Sequence, residues 1–334
     1  MWLRREVSGC FHSSTVLNGF LIRLEGERRL RHTRSRMFTA DSSGPSGRPE
    51  APAEWQDLLR RPWSGLLLLV GGPDTGKTTL SRFLYDELNR LGIRTARLDG
   101  DPGQSTLGPP ATMTVELPRG PAAEGARWLR WRRFVGAVSP RGHMLPLLVS
   151  GARLLGVALE AGAQVVVYDT SGLVDPAQGG TALKWAKIDL LEPRAVLALQ
   201  RERELEALLG PLRRLAPDRL IELAVSASVT RRTIEVRRAH RAARFGRYFR
   251  RAEERSLSWE HYAVFPASNF VRHGLVGLEN ADGFLVALGI VLDTDPSRRT
   301  LRVLTPARSL EAVRVIRVGR IWVDPWTFQD GKVS

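Results

Sequence analysis

The sequence predicts an α/β protein, a parallel sheet flanked by helices, with a small β-rich domain at its carboxyl end. Three observations predict it. From residue 55 to about 255, short and wholly apolar runs alternate with longer stretches of helical periodicity, the rhythm of strand–helix–strand units whose strands are buried on both faces. One such run breaks into a glycine-rich loop and re-forms as a helix: Gly65-Leu-Leu-Leu-Leu-Val-Gly71-Gly72-Pro73-Asp74-Thr75-Gly76-Lys77-Thr78-Thr79. After about residue 256 the pattern changes to short alternating segments separated by turn sequences.

Taken in order, residues 66–70 read as a buried strand, 77–91 as a helix and 93–99 as a second strand. Residues 150–161 look helical, 163–168 form an apolar strand, 183–191 a helix, 195–199 a strand and 202–215 a helix. Over 231–251, arginines at 237, 238, 241, 244 and 247 fall at helical spacings, with Val236, Phe245 and Phe249 left to anchor another face. Beyond it, Asn280-Ala-Asp-Gly283 and Asp295-Pro-Ser-Arg298 are turns, and Val313-Arg-Val-Ile-Arg-Val-Gly-Arg-Ile-Trp-Val323 reads as a strand pair. The expected division is a disordered tail over 1–50, a core over 51–255 and a β-rich domain over 256–334.

With 334 residues there is ample chain for a core, and no apolar run approaches the ~20 residues that span a bilayer. The single cysteine, Cys10, excludes an internal disulfide framework and fits a reducing cytoplasm. The tail is rich in arginine and poor in acids, so it imitates an organellar presequence; a start at Met37 explains it equally well. Of the net charge of +15, residues 1–36 carry +5, 127–133 carry +4 and 231–251 carry +8, so the remainder is −2. Basicity this local is the footprint of a polyanion partner. Arg127-Trp128-Leu-Arg130-Trp131-Arg132-Arg133 also interleaves aromatics with cations, as single-strand grooves do, although tryptophans at such edges more often pack. His143 and His240 have no neighbours at zinc-ligand spacing.

The glycine-rich loop reads as a P-loop, and the fold expected is therefore that of the P-loop NTPases. Gly71, Gly72, Pro73, Asp74, Thr75, Gly76, Lys77, Thr78 and Thr79 would wrap a triphosphate with backbone N–H groups, aided by the helix N-terminus. Lys77 would reach the β- and γ-phosphates and Thr78 would ligate Mg²⁺. Only four of the 50 Lys and Arg residues are lysine, namely Lys77, Lys184, Lys187 and Lys332. A chain that otherwise writes its cations as arginine has placed a point charge where a P-loop requires one. After the second strand, Asp99 and Asp101 lie two residues apart and can face the loop together, one supporting the metal while another accepts a proton from an attacking hydroxyl. Asp169 ends the apolar strand at 163–168 and competes with that pair for the metal role; a helix N-cap is its other reading.

Four segments follow in sequence: Gly-Gly-Pro-Asp-Thr-Gly-Lys-Thr-Thr, Asp-Gly-Asp-Pro-Gly-Gln with Gly108-Pro109-Pro110, Phe134-Val-Gly-Ala-Val-Ser-Pro140 and Asp169-Thr-Ser-Gly-Leu-Val174. Together with Leu183-Lys-Trp-Ala-Lys187 and Arg237-Arg-Ala-His-Arg241-Ala-Ala-Arg244, they resemble the RNA 5′-hydroxyl polynucleotide kinases, over roughly residues 63–325. That family includes the cleavage-factor kinase subunit, nucleolar ribosomal-RNA-processing kinases and archaeal relatives. The resemblance implies transfer of the ATP γ-phosphate to the 5′-hydroxyl of RNA, with single-stranded DNA as a second acceptor, and Mg²⁺ as cofactor. It makes Asp101 the base and Lys77 a catalytic cation, and it makes Arg237 and Arg241 parts of an arginine lid. Ser139 falls where relatives clasp the RNA end, and Gln104, Thr170, Arg238 and Arg244 are expected at the substrate. Leu173 stands where relatives often carry Trp, and the β domain that precedes the core in eukaryotic members has no counterpart among the poorly patterned first residues. A nucleotide-hydrolysing switch and an ATP-holding RNA-processing scaffold are the competing readings; no Asn-Lys-x-Asp guanine signature follows 195–199.

Overall fold

The apolar residues 66–70 form β1 (Gly65–Gly71), hydrogen-bonded in parallel to β5 (Val165–Thr170) on one side and β6 (Ala195–Gln200) on the other. Leu66, Leu68 and Val70 enter one core, and Leu67 and Leu69 enter a second on the opposite face. Coverage on both faces is why the strand reads as an unbroken apolar run. This computed structural model describes residues 51–120, 128–226, 229–267 and 269–333; the tail over 1–50 with Cys10, and Arg127, lie outside the described residues.

The first sheet has the order β4-β3-β2-β5-β1-β6-β7. β2 (Thr95–Gly100), β5, β1, β6 and β7 (Leu220–Ala224) are parallel, and β3 (Thr112–Pro118) and β4 (Trp128–Phe134) extend the sheet antiparallel. α1 (Ala53–Leu59) and α2 (Lys77–Arg90) cover one face, where Leu80, Leu84 and Leu88 repeat every fourth residue into the core. On the other face the core includes residues of α3 (Met144–Glu160), α4 (Gly180–Leu191) and α5 (Glu206–Leu215). The carboxyl ends of the parallel strands, where ligands bind in such sheets, therefore gather the P-loop, the Asp99–Asp101 turn and Asp169.

The second sheet has the order β14-β13-β10-β11-β12-β8, with β9 (Ala263–Phe265) parallel to β13. Its other strands are β8 (Glu253–Ser258), β10 (Gly274–Glu279), β11 (Leu285–Asp295), β12 (Thr300–Thr305), β13 (Val315–Val323) and β14 (Asp330–Lys332). The arginine-rich helix α6 (Ile234–Phe249) buries Phe245 and Phe249 in a core shared with Leu275, Leu288 and Ile321 of this sheet and with Phe134 of β4.

Several elements differ from the sequence expectation. The segment 313–323 is the single strand β13 rather than a pair, because its partners β10 and β14 come from elsewhere in the chain. α3 begins at Met144, six residues before the expected start at 150, with Pro146 in its first turn, where a missing N–H costs nothing. α5 begins at Glu206 because the Glu204 carboxylate accepts the N–H groups of Arg201 and Glu202 and holds 201–204 in a turn. β3 and β4 have no counterpart in the sequence reading, and the basic aromatic segment at 128–133 is an edge strand.

Candidate active site

Between β1 and α2 the loop turns tightly. A Cβ on Gly71 would meet the Leu199 carbonyl at 2.7 Å, and Gly76 caps α2 with φ of 90°; both positions require glycine. Lys77, the first residue of α2, is buried and donates from Nζ to the Gly72 carbonyl and, at 3.3 Å, to Thr75 Oγ1. Burial lowers its pKa, opposed by the charges of Asp169, Asp101, Asp74 and Glu204. Thr78 Oγ1 donates to Asp169 Oδ2 at 2.6 Å. Asp169 lies level with Leu69 on β1 and Asp99 on β2, and burial pushes its carboxyl up to about 6 against the opposing pull of Lys77. Pro73 in the loop and Thr79 in the first turn of α2 are exposed.

A divalent ion fits this donor set. A hydroxyl and a buried carboxylate in contact, with Asp101 close enough to act on the same carboxyl, concentrate negative charge where burial disfavours it. No cluster of three or more His, Cys, Asp or Glu side chains that could cage a metal occurs among the described residues. Mg²⁺ does not need one, because it commonly takes one or two protein oxygens together with substrate phosphates and water.

The two carboxylates at the end of β2 divide their work differently from the expectation. Asp99 was expected at the metal, but its Oδ2 accepts from Thr106 N at 2.6 Å, Leu107 N at 3.0 Å, Ser105 Oγ at 3.1 Å and Thr106 Oγ1 at 3.2 Å. With Oδ1 accepting from Asp101 N at 3.3 Å, the side chain is fully engaged in building the 105–107 loop. Asp101 commits only Oδ1, to Gly103 N at 2.9 Å and Gln104 N at 3.0 Å; among the described residues Oδ2 accepts no hydrogen bond. The turn thus aims one carboxylate oxygen while leaving it free.

The arginines expected to form a lid separate. Arg237 Nη2 donates to Asp74 Oδ2 at 2.6 Å, and Arg232 N donates to the same oxygen at 2.9 Å, so the start of α6 is fastened to the P-loop. Gln104 lies beneath, with Nε2 3.5 Å from the Arg237 carbonyl. Arg241, expected at the phosphates, instead pairs with Asp330 of β14 at 2.7 Å, one helical turn further on and against the second sheet. Arg244 donates to the carbonyls of Thr106 and Gly108 and braces the Asp99 loop, whereas Arg238 is exposed. Ser139 follows Val138, whose carbonyl packs on Gly103, and its Oγ accepts from Arg141 N at 3.2 Å. Thr170, expected at the substrate, is 1% exposed. Its hydroxyl donates to the Leu69 carbonyl at 2.7 Å and accepts from Lys184 Nζ at 2.7 Å.

Sequence reasoning gave no role to Lys184 and Lys187. Both are fully buried on α4: Lys184 also donates to the Ser171 carbonyl, and Lys187 donates to the Tyr168 hydroxyl at 2.7 Å, with its Nζ 4.5 Å from the centre of that ring. Burial lowers Lys184 well below its ordinary value and Lys187 to about 7. Their signal was present in the scarcity of lysine, since a chain that uses arginine at its surface keeps lysine where one compact ammonium must fit.

Residues 71–251 match the family described as the mRNA cleavage and polyadenylation factor CLP1 P-loop. The chain belongs to this family. It is 30% identical over 317 residues to the polyribonucleotide 5′-hydroxyl-kinase of Thermococcus kodakarensis, covering 77% of this chain and 88% of that protein. The polyribonucleotide 5′-hydroxyl-kinases of Methanocaldococcus jannaschii and Pyrococcus furiosus are each 27% identical, with 87% and 89% of their lengths covered. Among solved structures, the wild-type Clp1p–Pcf11p complex contains a chain that superposes with a TM-score of 0.62 at 14% identity, over 80% of this chain and 76% of that one. That likeness establishes the shared fold.

Proposed function

We propose that this CLP1-family protein is an ATP- and Mg²⁺-dependent polynucleotide kinase that phosphorylates the 5′-hydroxyl end of RNA. The observation that carries the reading is the meeting of three side chains at the strand ends: Lys77 in the P-loop, Asp169 on Thr78, and Asp101 with one oxygen uncommitted. The names of the archaeal relatives support the same acceptor.

In this reading Lys77 exchanges the Gly72 carbonyl for the β- and γ-phosphate oxygens, and Arg237 exchanges Asp74 for the phosphoryl group in flight. Asp101 Oδ2 takes the proton of the 5′-hydroxyl as its oxygen bonds to the γ-phosphorus and the bond to ADP breaks. Thr78 and Asp169 would hold Mg²⁺, which would neutralise charge on the phosphates. Gln104 and Ser139, beside the Asp101 turn, would contact the acceptor end, and Arg238 would meet its phosphates. We further propose the division near residue 255 between a kinase core and a β-rich domain, and a cytoplasmic setting, the latter resting on the single cysteine. No helix among the described residues is long and apolar enough to cross a membrane.

The test is incubation with ATP, Mg²⁺ and 5′-hydroxyl RNA and DNA oligonucleotides. Labelled product with the wild type and none with Lys77→Ala is expected, and Asp101→Asn should retain ATP binding while losing about 10²–10⁴-fold in rate. ATP turnover that ignores the acceptor would overturn the kinase in favour of a hydrolysing switch.

A further inference from the structure

Alternation along β4 sorts its side chains. Leu129 and Trp131 pack against the core beneath α3, whereas Trp128, Arg130, Arg132 and Phe134 share the opposite face. Beside them on that face stand Glu116 and Thr114 of β3, then Arg97 and Asp99 of β2. α2 packs on β1, β2 and β5, and its Tyr85 hydroxyl accepts from the Trp128 indole at 3.0 Å. α6 approaches Arg132 through Tyr248 and Arg244, whereas Arg130 is exposed.

The charges on this face do not balance. Glu116 already serves two arginines, Arg97 at 3.4 Å and Arg130 at 3.0 Å. Arg132 has a buried Nε with no hydrogen-bond partner. Arg244 comes in from α6 near Arg132, Arg130 and Arg247, and both Arg132 and Arg244 are held below their usual pKa by burial first and by neighbouring arginines as well. Because Arg244 also grips the carbonyls of Thr106 and Gly108, the basic face begins at the loop that Asp99 builds. It ends at Trp128, which is 41% exposed with the Arg130 guanidinium 5.4 Å from its ring centre.

We propose that this face is the path of the single-stranded polynucleotide beyond its 5′ end, with Arg244, Arg132 and Arg130 on successive phosphodiesters and Trp128 against a base. The inference rests on the polynucleotide kinase reading and adds to it a surface outside the reacting centre. Arg130 and Arg132 stand ~6.7 Å apart along the strand, comparable with one step of an extended polynucleotide. Cations interleaved with an exposed aromatic are how sequence-tolerant single-strand grooves are built. An unpaired, half-buried guanidinium gains most from a ligand that brings the missing charge.

The experiment compares wild type with Arg130→Gln/Arg132→Gln on a 5′-hydroxyl dinucleotide and on an oligonucleotide long enough to cover β4. Glu116 keeps Arg97 in the variant, and a thermal melt checks the fold. Expected are a KM for the long acceptor raised about tenfold, an unchanged kcat, unchanged kinetics on the dinucleotide, and a log–log salt dependence flattened by about 1.4 for two lost phosphate contacts. Trp128→Leu should raise the long-acceptor KM about fivefold or more. Equal kinetics on the long acceptor, or equal losses on both acceptors, would overturn the path. Fluorescence anisotropy of the long oligonucleotide without ATP reads the same surface independently of turnover. Were the wild type to phosphorylate neither acceptor, weakened binding in the variant would still support the path and unchanged binding would remove it. A face that serves an acidic protein instead would leave RNA affinity and its salt slope untouched.

Discussion

Asp169 titrates near 6 because burial disfavours its charge, whereas the unfolded chain titrates at 3.8. Between those values the folded protein holds a proton that the unfolded chain has released. The stability it contributes is therefore complete below pH 3.8 and lost as the pH rises through 6, a cost of roughly 3 kcal/mol by neutrality. Asp169→Asn should then stabilise the nucleotide-free protein at pH 7 by about 1–3 kcal/mol and flatten its urea-unfolding profile between pH 4 and 6; with Mg²⁺ and ATP the wild type is expected to gain Tm and the variant to gain less. Lys187 has the opposite shift: lowered to about 7, it releases its proton in the folded state well before the unfolded chain does, so stability falls as the pH drops through 7. Lys187→Met should raise Tm more at pH 6 than at pH 9, by the equivalent of about 3 kcal/mol at the lower pH once the lost Tyr168 hydrogen bond is allowed for. The P-loop residues were legible because their spacing is itself the device. The duties of Asp99 and Thr170 were not, because a sequence shows which oxygens exist and not that the loop at 105–107 claims Asp99 Oδ2 while Leu69 and Lys184 claim the Thr170 hydroxyl.

At the level of elements, α6 is fastened at two places with different characters. Its first turn is tied by Arg237 to Asp74, a pair left 30% and 14% exposed, and its last turns are sealed by Phe245 and Phe249. The amino end can therefore detach without the carboxyl end leaving its core. Asp74→Ala should loosen that end by about 1 kcal/mol, appropriate to a partly screened pair, and so accelerate tryptic cleavage at Arg231 or Arg232 about fivefold without lowering the global Tm appreciably. An unchanged cleavage rate would mean that the Asp74 contact does not hold that end. The sequence revealed this helix through arginine spacing, but that spacing could not separate the arginine facing the P-loop from the one facing β14. Arg237 and Arg241 are one helical turn apart, yet the first meets Asp74 of the P-loop and the second Asp330 of β14. β4 was hidden for a related reason. It mixes tryptophan and arginine along one face, so neither a buried-strand nor a helical period emerges, whereas β3 alternates Thr112, Met113, Thr114, Val115, Glu116 and Leu117 with a period of two that does carry a strand signal.

For the whole molecule, residues Glu50–Ser334 form one compact unit, in which the two sheets meet both through α6 and directly. Phe249 stacks on Phe328 with ring centres 6.2 Å apart, Phe245 lies in the core with Leu275 and Leu288, and Arg241 reaches Asp330 on β14. The first sheet joins the same core through Phe134, and Arg320 N donates to the Gly136 carbonyl at 2.8 Å. α6 is thus built on the second sheet, and loss of that sheet removes the support of Arg237 as well. Asp330→Ala is the sharpest probe, because it touches nothing in the P-loop yet strands the Arg241 guanidinium, 13% exposed, without its partner. A destabilisation of about 3 kcal/mol is expected from an uncompensated, largely buried charge. If the two sheets unfold together, urea transitions followed by tryptophan fluorescence and by residual kinase activity will coincide in wild type and variant alike, both shifted to lower urea in the variant. Activity lost well before fluorescence in the variant alone would instead mean that the second sheet and α6 melt away from a P-loop core that remains folded.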